Sequence, residues 1–72
     1  MSKGKSLGQL FKEARRKKHL TQLEVAEKAG VHWNTVAKIE RNEQDPHFPT
    51  ALSIAEVLDI PVSELTKYYR HK

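Results

Sequence analysis

Four residues inside one short stretch carry the most specific chemistry in this chain: His32, Trp33, Asn34 and, one turn further along, Lys38. On a helix that starts at Trp33 the first turn points outward, and Lys38 lies one turn on from Asn34 along the same face, because positions four apart are neighbours on a helix surface. They are groups that can read the edges of DNA bases. An asparagine bonds adenine through two hydrogen bonds and a lysine donates to the acceptors of guanine, each good pair giving roughly 1–3 kcal/mol of discrimination. Trp33 has no fixed partner in that code. It can pack on a thymine methyl, lie along the sugar-phosphate wall or donate its indole N–H to a phosphate. The competing reading makes Trp33 a core residue, and its place at the first position of the helix argues against that.

Groups suited to phosphate lie close by in sequence. Gln22 opens the preceding helical pattern, where free N–H groups and the positive end of the helix dipole favour an anion. Thr35, Arg41 and the basic run Arg16, Lys17 and Lys18 are further phosphate candidates. Contacts of that kind fix register on a duplex and carry no sequence information. Glu43 and Asp45 oppose them, placing acid in a loop near the expected backbone path. They serve solvation or a turn, or they weaken non-specific binding by repulsion.

These groups need a scaffold, and the segment from Thr21 to Glu40 supplies its pattern. Thr21 followed by Glu24 is a capping-box signature, and Gly30 stands where a first helix must stop in a left-handed conformation. Ala26 lets a second backbone approach closely, while Val25, Ala29, Val31, Val36 and Ile39 fix the angle between the two helices. That pattern is a helix-turn-helix. Period 3.6 fits nearly the whole chain and period two fits nowhere for long, so five helices and no strand are expected. The first runs from about Leu7 to Lys18, opened by a Ser6–Gln9 capping box, and the second from about Gln22 to Ala29. The third covers about Trp33 to Arg41. The fourth starts near His47 or Phe48, because Pro49 is tolerated only in a first turn, and reaches Asp59. After Pro61 a short fifth helix spans Val62 to Tyr69, with Leu65 inward. The expected organisation is a flexible basic arm over residues 1–6, a single domain over 7–69 and a frayed tail over 70–72.

Composition excludes several functions. The chain has 72 residues, too few for a second core. It has no cysteine, hence no disulfide, thiolate or cysteine-zinc chemistry. His19, His32, His47 and His71 are too scattered to suggest a metal cluster, and no serine, histidine and carboxylate set stands out. No catalytic residue, metal or cofactor is expected, and no small-molecule ligand. No apolar run approaches the roughly 20 residues that cross a bilayer, and no signal-peptide core is visible at the start, so a cytoplasmic protein without membrane attachment is expected. Thirteen Lys and Arg against nine Asp and Glu leave a net charge of +4, and Lys3, Lys5, Lys12 and Arg15–Lys18 crowd the first quarter with Glu13 as the only acid among them. A basic run alone is commonly a solvated helix face; beside a helix-turn-helix it points to nucleic acid.

Leu20-Thr21-Gln22, Ala26 with Gly30-Val31, Ile39-Glu40-Arg41, Pro46, and Ile54-Ala55 followed by Leu58 resemble the phage-repressor and Cro-type (XRE) helix-turn-helix family over about Leu7 to Leu65. The resemblance implies an all-α, compact five-helix, lambda-repressor-like DNA-binding domain with the helix-turn-helix at helices 2 and 3. Its partner would be double-stranded operator DNA, bound commonly as a symmetric homodimer, and its role transcriptional regulation, as a repressor. It also implies that Arg15 pairs with Glu40 as a structural ion pair. The chain departs from the family at Asn42 and His19, where glycine is common, at Ala51, where leucine is usual, and at Pro61, where serine often caps. Leu10 and Leu23 fall where the family is mostly polar and read as scattered surface leucines. Tyr68 and Tyr69 are candidate dimer contacts, since aromatic residues are enriched at interfaces; otherwise one closes the core and the other is exposed. The rival to operator binding is a protein-interaction module of antitoxin or adaptor type, docking through Trp33. A third reading, general nucleoid or RNA binding, carries no operator preference.

Overall fold

In the computed structural model, which describes residues 5–69, five helices follow one another: α1 Leu7–Lys17, α2 Gln22–Ala29, α3 Trp33–Glu40, α4 Phe48–Val57 and α5 Val62–Thr66. Every described residue is helix, turn or irregular chain, with no strand. The start of α2 is the capping box in full: the Thr21 hydroxyl accepts from Glu24 N–H at 3.0 Å and Glu24 accepts from Thr21 N–H at 2.8 Å. At α1 the box is only half made. Ser6 accepts from Gln9 N–H at 3.1 Å, but the Gln9 amide turns down its own helix to Glu13 at 3.1 Å, the i,i+4 partner that competes for it.

Four helices close in the same way. Each ends on a residue in the left-handed conformation: His19 at φ 58, Gly30 at φ 74, Asn42 at φ 61 and Asp59 at φ 59. In every case the next N–H reaches back five residues (Leu20 to Arg15, Val31 to Ala26, Glu43 to Lys38, Ile60 to Ala55) at 2.8–3.2 Å. This is the Schellman closure, which satisfies carbonyls that the helix leaves free. Only one of the four has the glycine that makes the conformation free of steric strain.

The core is one cluster drawn from all five helices and the α4–α5 corner: Phe11, Val25, Ala26, Val36, Ile39, Ala51, Ile54, Ala55, Leu58, Ile60 and Leu65. Helix α2 packs on α3 and α4, α1 on α3, and α4 on α5. Ala51 is fully buried despite its small size. Gly8 lets α1 press against the end of α3: a Cβ there would stand 2.2 Å from the Ile39 carbonyl and 2.7 Å from Asn42 Oδ1.

Several expected boundaries move. Helix α4 stops at Val57 because Asp59 takes its left-handed turn, and α5 stops at Thr66 instead of Tyr69. Beyond Thr66 the chain continues in three-residue turns, Tyr68 N–H to Leu65 and Tyr69 N–H to Thr66. Pro61 offers no side-chain cap to α5. Of the arm expected over residues 1–6, residues 1–4 lie outside the described residues, while Lys5 pairs with Glu13, its carbonyl accepts from the Tyr68 hydroxyl at 3.1 Å, and Ser6 caps α1. The tail expected over 70–72 also lies outside the described residues.

Candidate nucleic-acid interface

Helix α3 divides cleanly. Val36, Ala37, Ile39 and Glu40 are buried, while Asn34, Lys38 and the N-cap His32 are exposed and Trp33 keeps 47% of its surface. A largely apolar stripe, closed by a paired glutamate, thus fastens α3 to the body and leaves its first turn facing solvent. Thr35 is half-buried between the two faces. His32 holds the start of the helix with its ring: Nδ1 accepts from Asn34 N–H at 3.1 Å. Its imidazole stacks along the Trp33 indole, centroids 6.3 Å apart and planes 24° from parallel. A histidine cap has little sequence signal, because Ser, Thr, Asp and Asn dominate that position.

Behind this face, Arg15 and Glu40 meet. Arg15 Nε donates to Glu40 Oε2 at 2.7 Å and its second terminal nitrogen to Oε1 at 2.9 Å, while the first donates to the Leu20 carbonyl at 2.9 Å. The side chains are 14% and 3% exposed. The hydrogen bonds it donates to Glu40 raise the Arg15 guanidinium above its ordinary range, against the opposing effect of burial. Gln22 joins the pair: its amide nitrogen donates to Glu40 Oε1 at 3.0 Å. One carboxylate therefore ties the end of α1, the start of α2 and the end of α3 together. Gln22, expected to face a phosphate, already has one amide proton turned inward.

The basic run from Arg15 to Lys18 is not one patch. Successive helical positions step by about 100°, and the four residues separate accordingly. Arg15 points in. Arg16 lies with Lys12 beside Glu40 and Asn42, at the end of α3. Lys17 and Lys18 line a groove at the α4–α5 corner with Leu10, Leu58, Ile60 and Pro61, and the Lys18 ammonium pairs with Asp59. Those two lysines thus line a different groove from Arg16. Arg41, at the end of α3, is held by Glu43 through bonds of 3.0 and 3.1 Å. This contact draws the Glu43 carboxyl below its usual value.

The two tyrosines are used within the chain. Tyr69 meets Phe48 edge-on, centroids 5.3 Å apart and planes 82° apart, and its hydroxyl donates to the Pro46 carbonyl at 2.8 Å. Burial, then the nearby Asp45, raises that hydroxyl above its ordinary pKa of 10.0. Tyr68, half-buried, donates to Lys5. Leu23 is 52% exposed as a surface leucine, whereas Leu10 packs against the core.

Residues 11–65 match the family described as helix-turn-helix. Over 60 residues the chain is 37% identical to the immunity repressor protein of Bacillus phage phi105, covering 83% of this chain and 42% of that protein. It is also 37% identical over 60 residues to the HTH-type transcriptional regulator ImmR of Bacillus subtilis, covering 83% and 47%. A putative HTH-type transcriptional regulatory protein of Methanococcus vannielii is 35% identical over 65 residues, covering 86% and 20%. The chain thus spans less than half the length of each of these relatives. Among solved structures, a chain of the SinR protein/SinI protein complex superposes with a TM-score of 0.78 at 35% identity, covering 89% of this chain and 63% of that one.

Proposed function

The chain belongs to the helix-turn-helix family, and from that premise we propose that it is a sequence-specific DNA-binding transcriptional regulator, a repressor, that lays α3 in the major groove of an operator. One observation carries this reading: His32, Trp33, Asn34 and Lys38 are all exposed on a helix whose opposite side is sealed. In such docking the first turn of the second helix meets base edges while the preceding helix meets backbone. The relatives named as an immunity repressor and a transcriptional regulator support the same role.

His32, Trp33, Asn34 and Lys38 are then the base-facing set. Phosphates on the flanks fall to the first turn of α2 at Gln22, to Thr35, to Arg16 and to Arg41 once it leaves Glu43. Arg15 and Glu40 hold the frame and read nothing. The protein works in the cytoplasm, needs no cofactor and performs no catalysis. No helix among the described residues is long and apolar enough to cross a membrane.

The test is a salt titration on duplexes selected from a random pool. Operator binding predicts affinity falling with a log–log slope near −0.9 for each phosphate neutralised, so about −2 for the two cationic phosphate sites assigned here, Arg16 and Arg41. A slope near zero would defeat the reading, since docking of a protein partner on Trp33 is nearly insensitive to salt.

A further inference from the structure

We propose that His32 is a donor-only base reader, and that the half-site recognised by α3 sets a guanine opposite its Nε2–H. This rests on the DNA-binding reading above and adds to it the chemistry of the preferred base. Nδ1 of His32 accepts the Asn34 N–H at 3.1 Å. An imidazole nitrogen that accepts carries no proton, so the neutral ring holds its proton on Nε2. The cap bond therefore fixes the tautomer, and the edge of the ring left to solvent is an N–H.

The ring is also held in place. The cap bond fixes one edge, and the stacked Trp33 indole fixes its plane. A donor held this way loses little rotamer freedom on binding. The neighbours on the exposed face have the same polarity: the Trp33 indole nitrogen and the Lys38 ammonium donate and do not accept. Apart from His32 Nδ1, which the cap bond engages, Asn34 is the one member of the four with an acceptor, and no carboxylate stands among them.

Base edges sort against such a face. Guanine shows two acceptors in the major groove, N7 and O6, with no donor beside them. Adenine pairs an acceptor with a donor, thymine an acceptor with a methyl, and cytosine shows only its amino donor. Cytosine would bring donor against donor. Guanine is the base that answers a donor-only edge most fully.

The experiment uses the 72-residue chain and duplexes selected from a random pool at fixed salt. Each guanine of the enriched half-site is replaced in turn by 7-deazaguanine, which lacks N7, and by 6-thioguanine, whose sulfur accepts poorly. Both series are measured for the wild type and for His32→Asn. Asparagine is a favoured N-cap, so α3 keeps its start, and thermal melting verifies this. Its amide is too short to place a donor where Nε2 stands. At one guanine the replacement weakens the wild type by about 3- to 10-fold, the range of one neutral hydrogen bond, and leaves His32→Asn unmoved. An enriched half-site without guanine overturns the proposal, as does an equal loss in both proteins at every guanine that responds, or no loss at any guanine. Enrichment of no sequence at all overturns the DNA-binding reading itself, and this inference with it. Should His32→Asn fail to melt cooperatively, His32→Ser, another favoured cap, takes its place in the same comparison.

Discussion

The Gln22 amide has two suitors, a phosphate outside and the Glu40 carboxylate inside. Because it donates to Glu40, Gln22→Ala should affect stability as well as DNA affinity, lowering the former by about 1 kcal/mol, the worth of one such bond. Arg15→Ala is the harsher change. It leaves the Glu40 carboxylate, 3% exposed, with Gln22 as its remaining side-chain partner, and removing one member of a buried pair costs about 3–5 kcal/mol. That is a large part of what a small domain possesses, so urea denaturation should find Arg15→Ala mostly unfolded near physiological temperature. A midpoint within error of the wild type would show that the pair is not structural. Glu43 acts in the opposite sense, since it occupies the guanidinium of Arg41. Glu43→Gln should release Arg41 and tighten binding on every duplex alike, whereas Arg41→Ala should reduce the salt slope by about 1; an unchanged slope in Arg41→Ala would mean that Arg41 meets no phosphate. The residues of this site could be named from the sequence because they fall at fixed positions of a helix pair. Their couplings could not. That Glu40 has two partners, that Lys18 turns to Asp59 and that His32 caps its own helix depend on side-chain directions set by packing between segments far apart in the chain.

At the level of helices the pattern of apolar residues and caps located all five, and α2 falls where Thr21, Glu24 and Gly30 put it. The resemblance marks His19 and Asn42 as positions where glycine is common, whereas nothing in the pattern disclosed how α4 ends. Asp59 carries no glycine-like signal, yet like His19 and Asn42 it adopts positive φ, because the core draws the following residue, Ile60, back across the helix end. This makes a stability experiment at the turns informative. A left-handed non-glycine residue carries roughly 1–2 kcal/mol of strain, less for Asn and Asp. His19→Gly should therefore raise stability by up to about 1 kcal/mol, after allowing for the greater entropy of glycine in the unfolded chain, and Asn42→Gly should gain less. The order of the two melting temperatures checks the argument, and a His19→Gly protein that melts lower would refute it. The same reasoning runs in reverse at Gly8. Its missing Cβ would meet a backbone carbonyl, which cannot swing aside as a side chain can, so Gly8→Ala should push α1 off α3 and cost about 1–3 kcal/mol.

On the proposed reading, one copy of this chain would meet one half-site. Its longest principal-axis extent is 31 Å, while successive major grooves on one side of the duplex lie about 34–36 Å apart. A single copy presents a single α3, so it cannot engage both halves of a symmetric operator, and two copies are needed for a full site. The tyrosines bear on how those copies would meet. Tyr69 is committed to Phe48 and Pro46, which leaves half-buried Tyr68, at the end of the fold beside Lys5, as the tyrosine that a second copy could cover. Alkaline titration tests the buried place of Tyr69. The folded state holds the Tyr69 hydroxyl above its ordinary pKa of 10.0, and the unfolded chain does not. The stabilisation this represents is complete below pH 10 and is lost as the pH rises through the folded value. Stability should accordingly fall above about pH 10, and Tyr69→Phe, which lacks the titrating group, should fall less steeply over the same range. If Tyr68 lies between copies, Tyr68→Ala weakens binding to a two-half-site operator far more than to an isolated half-site, because only the former requires the second copy. Equal weakening on both duplexes would place Tyr68 outside the contact between copies.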